Sequence, residues 1–134
     1  MSTTRTNYGS GAPLEEKVGY SRMVKIGDYV KVGGTTSVQP DGTVYGEDAY
    51  SQTKYVLDKQ IKLLEKAGAK AEEVYNVMVY TTDISQGGKI CDAYSEFFHD
   101  VKPLCTIVEI TALNRPTQFV EIEMEAYIGA VVAG

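Results

Sequence analysis

The sequence predicts a single α+β domain with two helices packed on one face of a mixed β-sheet. Three observations carry this. Residues 119–128 alternate strictly: Val120, Ile122, Met124, Ala126 and Ile128 form one face, and Glu121, Glu123 and Glu125 form the other. Residues 48–67 place apolar or small side chains at Thr53, Val56, Leu57, Ile61, Leu64 and Ala67, the three- and four-residue spacing of a helix face. Strand-like and helix-like segments then follow in the order strand, strand, helix, strand, helix, strand, strand, which suits a sheet with helices on one side. A chain of 134 residues holds one core, so residues 1–134 are read as one domain.

The elements follow in chain order. Residues 1–12, rich in Ser, Thr and Gly, are expected to be loosely ordered. Residues 21–26 and 29–32 are apolar-rich and flank Gly27-Asp28, a pair suited to a tight primed turn. Gly33-Gly34 interrupts the second strand, as a bulge or a close approach by another group would require. Gln39-Pro40-Asp41-Gly42 is a turn. The first helix spans 48–67, stops at Gly68, and turns Lys54, Asp58, Lys62 and Glu65 to solvent. Residues 74–82, rich in β-branched side chains and Tyr, form a strand. Ser85 is expected to cap a second helix that ends near Phe98, with Ile90, Tyr94, Phe97 and Phe98 on its buried stripe. Residues 105–111 and 119–128 are the last two strands. In the final one, a one-residue slip would bury the glutamates, so its register is well specified. The sheet's second face has nothing left in so short a chain to cover it, and self-association is expected.

Composition narrows the function. Apolar residues make up 43% and charged residues 23%, an ordinary globular balance. No apolar run approaches the roughly 20 residues of a membrane span, and the first residues carry no apolar stretch of the secretory kind. A cytoplasmic protein without a membrane partner is the expectation. The formal net charge is -5, from 13 basic and 18 acidic residues, which argues against nucleic acid as a partner. His99 is the single histidine and Cys91 and Cys105 are the two cysteines, too few for a zinc site or a disulfide scaffold. His99 beside Asp100 suits a helix C-terminus. Gly87-Gly88 lacks the spacing and Lys-Ser ending of a phosphate loop and is assigned to a loop or a helix start.

The ordered set Gly19-Tyr20-Ser21, Val32-Gly33-Gly34, Pro103-Leu104-Cys105-Thr106-Ile107-Val108-Glu109-Ile110 and Val120-Glu121-Ile122-Glu123 resembles the RidA family. That family is also called YjgF/YER057c/UK114 and, in older usage, endoribonuclease L-PSP. The resemblance covers about residues 18–129. It implies a chorismate-mutase-like fold and a homotrimer whose three sheets close a central β-barrel, with ligand clefts between subunits. It also implies hydrolysis of reactive enamines and imines such as 2-aminoacrylate, with release of ammonia and no metal or organic cofactor.

Carried over residue by residue, the resemblance makes Glu121 the acid-base group and Tyr20 the tyrosine of the pocket. Gly33, Gly34, Cys91, Cys105 and Thr106 become substrate-binding positions. Cys105 stands where active deaminases of the family carry an arginine, and a thiol supplies neither the fork nor the permanent charge that grips a carboxylate. Cys91 stands where members with a pocket asparagine carry it. The two thiols are open to three readings: a nucleophile, a redox pair, or small apolar fillers. Arg115 is the only arginine near that strand in sequence. Three functions compete: a deaminase of altered specificity acting on a small-molecule ligand, a non-catalytic trimer that binds a ligand or partner, and a ribonuclease, the last disfavoured by acidity and the lone histidine.

Overall fold

The structure of the protein, a computed structural model, describes residues 3–133. The chain runs β1 (Arg5–Tyr8), α1 (Pro13–Val18), β2 (Met23–Ile26), β3 (Tyr29–Thr35), α2 (Ala49–Lys66), β4 (Val74–Thr81), α3 (Gly87–Phe98), β5 (Leu104–Glu109) and β6 (Val120–Tyr127). Short 3-10 turns at Ala71–Glu73 and Ile84–Gln86 precede β4 and α3. The strands form one six-stranded sheet in the order β1-β2-β3-β6-β4-β5. All neighbours are antiparallel except β4 and β5, which are parallel. Parallel strands need a crossover, and α3 supplies it.

The alternation of β6 explains its central place. Val120, Ile122, Met124 and Ala126 are buried, together with Val30 and Val32 of β3 and Val77 and Val79 of β4. Against this face α2 lays Val56, Leu57, Leu63 and Leu64, and α3 lays Ile90 and Phe98. Each such side chain contributes about 1.5–3 kcal/mol by leaving water. The expected stripe of α2 is seen, with Ile61 only partly buried and Ala49, Gln52, Gln60 and Leu63 added to it. Gln52 and Gln60 lie on the buried stripe of α2 and bond backbone groups. Gln60 Nε2 donates to the Ile122 carbonyl at 2.7 Å. Gln52 Nε2 donates to the Thr117 carbonyl at 2.8 Å, and its Oε1 accepts from the Phe119 amide at 2.8 Å.

The capping of α2 is local chemistry. Asp48 is extended, and its carboxylate accepts from the Ser51 amide at 2.9 Å, which satisfies one orphan donor of the first turn. Two sequence expectations change here. The cap before α3 is not Ser85: Asp83 caps the 3-10 turn, accepting from the Ser85 amide, and α3 begins at Gly87. Residues 1–12, expected to be loosely ordered, contain β1, whose residues Arg5 to Tyr8 pair in register with Ile26 to Met23. Their polar side chains gave no periodicity, and the strand exists because β2 offers it an edge. The short α1 was also missed. It has Pro13 at its start and Gly19 in the left-handed region at φ 92° at its end, where a Cβ would be strained.

The face of the sheet away from α2 and α3 carries Glu121, Glu123 and Glu125 opposite Tyr80, Met78 and Asn76. It is held by polar contacts: Glu125 accepts from the hydroxyls of Tyr29 at 2.6 Å and Tyr75 at 2.8 Å, and Lys31 pairs with Glu123 at 3.5 Å. No element among the described residues covers it. Among the described residues, no helix is long and apolar enough to cross a membrane.

Candidate functional site

The site begins with a break in β3. Val32 pairs with Met124 and Thr35 with Ile122, so one extra residue on β3 is accommodated between them, and Gly33-Gly34 fills the bulge. Both flanking side chains stay buried while the glycines leave space above the sheet. The Glu121 side chain occupies that space. A Cβ on Gly34 would stand 2.7 Å from Glu121 Oε1 and 2.9 Å from its Cδ. Glycine at 34 thus lets the carboxylate lie on the backbone. Burial there pushes the Glu121 pKa up; the nearby Arg22 charge pulls it down and Glu123 adds to the rise, with the net shift upward.

Arg22 holds this corner together. Its guanidinium donates to the Gly34 carbonyl, and its Nε meets Glu15 Oε2 at 3.3 Å. Its third nitrogen lies 3.4 Å from the Tyr20 hydroxyl, and its carbon sits 5.4 Å from the Tyr20 ring centroid. Glu15 is itself buried at the end of α1's first turn and accepts from the Ser10 amide at 2.8 Å and from the Ser10 hydroxyl. Burial pushes the Glu15 pKa up, but the Ser10 bonds and Arg22 outweigh it, and its carboxyl titrates below the ordinary range.

Tyr20, Arg22, Gly34 and Glu121 line one open cavity of about 1200 Å³. Its other walls come from the loop after β3, from α2 and from the loop before β6, where Arg115 stands. Three of the expected site residues, Glu121, Tyr20 and Gly34, therefore share a cavity. Gly33 is beside it in the bulge, with its amide donating to the Arg22 carbonyl at 2.7 Å. Arg22 and its partner Glu15 were not foreseen. Arg22 reads in sequence as the polar lead-in to a strand, and its significance depends on Glu15, which lies in the helix that the pattern did not reveal. The adjacency Tyr20-Ser21-Arg22 was the available signal.

Cys91, Cys105 and Thr106 lie elsewhere in the protomer. Cys105 pairs in register with Val77 on the helix-covered side, whereas Thr106 pairs with Met78 on the open side. The sheet order puts β4 between β5 and β6, so Cys105 and Glu121 stand two strands apart and on opposite faces. Both cysteines are free and exposed as residues. The Tyr94 phenol of α3 is held above its ordinary pKa by burial and then by Cys105 and Cys91. Burial pushes the Cys105 thiol up, the Tyr94 phenol draws it back in part, and Cys91 adds to the rise. A raised pKa leaves less thiolate at neutral pH, which disfavours a nucleophilic role. His99 is exposed at the end of α3, 3.0 Å from Asp100, and does not line the cavity. No cluster of three or more His, Cys, Asp or Glu side chains suited to a metal occurs among the described residues.

Residues 11–128 match the family model described as endoribonuclease L-PSP. The chain belongs to this family, the one also called YjgF/RutC/RidA. A RutC family protein of Pyrococcus abyssi is 36% identical over 108 residues, covering 80% of this chain and 83% of the relative. An uncharacterized protein of Streptomyces coelicolor is 35% identical over 126 residues, covering 91% of each. Among solved structures, Rv2704 of Mycobacterium tuberculosis, a member of the YjgF/YER057c/UK114 family, superposes with a TM-score of 0.85 at 38% identity. That match covers 93% of this chain and 100% of the other. The mixed sheet with helices on one face is thus the α+β fold of YjgF-family structures.

Proposed function

We propose that this family member is a hydrolase of small imines or enamines, working in a cleft completed by neighbouring subunits of a homotrimer. The observation that supports this best is the seat of Glu121 on Gly34, where burial raises its pKa in a cavity shared with Arg22 and Tyr20. A carboxylate poised to gain and lose a proton suits general acid-base work.

Water attacks the imine carbon and forms the C–O bond as Glu121 takes its proton. The C=N π electrons move to nitrogen, which takes that proton back from Glu121. The resulting carbinolamine collapses: Glu121 moves the hydroxyl proton to the amine, the C–N bond breaks, the carbonyl forms, and ammonia leaves. No atom changes oxidation state by an external donor, and an enamine enters the same route after protonation at carbon. Tyr20, fixed by Arg22, borders the reacting centre.

The specificity differs from that of 2-aminoacrylate hydrolases, because Cys105 replaces the arginine that would grip a carboxylate next to the imine carbon. Within one protomer Cys105 and Glu121 are on opposite faces, so they share a cleft only if neighbouring subunits supply them. The uncovered sheet face and the exposed β5 edge, with Leu104 71% exposed, support such an assembly. The Cys105 replacement also favours a second reading, a ligand-binding trimer without turnover. Ribonuclease activity, the family's older name, has less support: His99 is remote from the cavity.

Ammonia release from a panel of imines generated in situ by amine and amino-acid oxidases tests the proposal. Turnover by the wild type that falls at least about 100-fold in Glu121→Gln supports it. Full turnover by Glu121→Gln sinks the mechanism, and no turnover of any imine alongside ligand uptake favours the binding reading.

A further inference from the structure

The cavity has a charge that the chain as a whole does not. Lys17, Arg22, Lys59, Lys62, Lys66 and Arg115 line it against only Asp41, Asp58 and Glu121, in a protein of net charge -5. Two of these cations are already neutralised locally: Arg22 pairs with Glu15, and Lys62 pairs with Asp58 at 2.8 Å. Lys59 is different. It is half-buried on α2, and no carboxylate lies within 4.0 Å of its ammonium among the described residues. Burial and then the Arg22 charge push its pKa down, with Glu15 opposing. A half-buried ammonium with no carboxylate partner is an electrostatic cost that an anion would relieve. Arg115 makes no ion pair among the described residues either; only its backbone amide is engaged, by Gln118.

The layout separates this charge from the reacting centre. Lys59 belongs to the helix on one sheet face and Glu121 to the other face, and the cavity joins the two layers. Arg22 lines the same cavity as both. At about 1200 Å³ the space also exceeds the needs of a three-carbon acid.

We infer that the ligand of this site carries its carboxylate remote from the imine or carbonyl carbon, held by Lys59 and Arg115 in place of an arginine at position 105. This rests on the imine-hydrolase reading for the identity of the reacting carbon. It makes Lys59 and Arg115 specificity-determining residues.

The test uses stable carbonyl compounds with the intact oligomer, by isothermal titration calorimetry. The probes are 2-oxopentanoate, its isomer 4-oxopentanoate, the longer 6-oxoheptanoate and neutral 2-pentanone. At least one remote-carboxylate acid is expected to bind about tenfold or more tightly than both 2-oxopentanoate and 2-pentanone. Lys59→Met or Arg115→Met erases that preference, and Lys59→Arg retains it. Thermal unfolding of each variant establishes that it folds, and Lys59→Gln or Arg115→Gln replaces the methionine variant at the same position if that one does not. Equal binding of the isomers, a preference for 2-oxopentanoate, or a preference that survives loss of both cations overturns the inference. Imine turnover without the preference leaves the hydrolase reading standing. The preference without turnover of any imine defeats the hydrolase reading and leaves the anion site standing.

Discussion

Gly34→Ala separates the geometry of Glu121 from the stability of the fold. Gly34 is not in the left-handed region, so alanine meets no backbone strain there. Its added Cβ meets Glu121 instead, at 2.7 Å from Oε1, 2.9 Å from Cδ and 3.3 Å from Cγ. An ordinary contact begins near 3.4 Å, so the carboxylate must retreat by about 0.7 Å. The obstacle is the free end of a flexible side chain, which can turn away. The stability cost is therefore small, and the loss of backbone freedom in the unfolded chain offsets it by about 0.4–1 kcal/mol. The net change in urea denaturation is expected to stay within about 1 kcal/mol of zero. Catalysis is less forgiving, since a displacement approaching 1 Å can cost about 100-fold. The expected result is a folded variant with kcat on its best imine reduced about 10–100-fold. Activity within about twofold of wild type, with the carboxylate displaced in a structure of the variant, would refute the reasoning. So would unfolding, because it would mean that Glu121 cannot move aside.

Other expectations follow from the same contacts. Gln52→Ala removes two donated bonds and one accepted bond from the buried side of α2, and about 2–4 kcal/mol of stability should be lost in urea denaturation. Glu121 faces Arg22, which lowers its pKa, and Glu123, which raises it, while the Tyr80 phenol opposite stays neutral over the working range. As the base, Glu121 must be ionised, so activity should fall with decreasing pH through a midpoint above the ordinary glutamate value of about 4.3. Glu123→Gln removes the like charge and should move that acid limb to lower pH, read from kcat/KM profiles. A limb that moves upward would contradict the electrostatics.

What the sequence revealed, and what it hid, divides along physical lines. The β6 alternation reads directly because side-chain period and burial are both local to the strand. The Gly27-Asp28 turn and the α2 stripe read for the same reason. Gln52 and Gln60 did not, because a polar residue on an apolar stripe declares itself only when its backbone partners arrive from more than 60 residues away. β1 and α1 are too short and polar to carry a period, and they are ordered by β2 and by the Glu15–Arg22 pair. The candidate site shows the same split. Glu121, Tyr20 and Gly34 lie in segments with family-like order, and the fold brings them into one cavity. Arg22 had only its adjacency to Tyr20 as a signal and Lys59 had none, since what distinguishes them is the Glu15 partner in one case and a missing partner in the other. The cysteines were visible as residues, but the separation of Cys105 from Glu121 by two strands and a sheet face was not.

The measurement that bears most directly on the proposed chemistry is keto-acid release from freshly generated 2-aminoacrylate, comparing wild type with Cys105→Arg, with the oligomeric state of both checked by light scattering. The expected result is negligible release by the wild type and a clear gain by the variant, because the cleft and its Glu121 are intact and only the grip on an adjacent carboxylate is missing. Rapid release by the wild type, unchanged in the variant, would contradict the claim that position 105 has redirected the site.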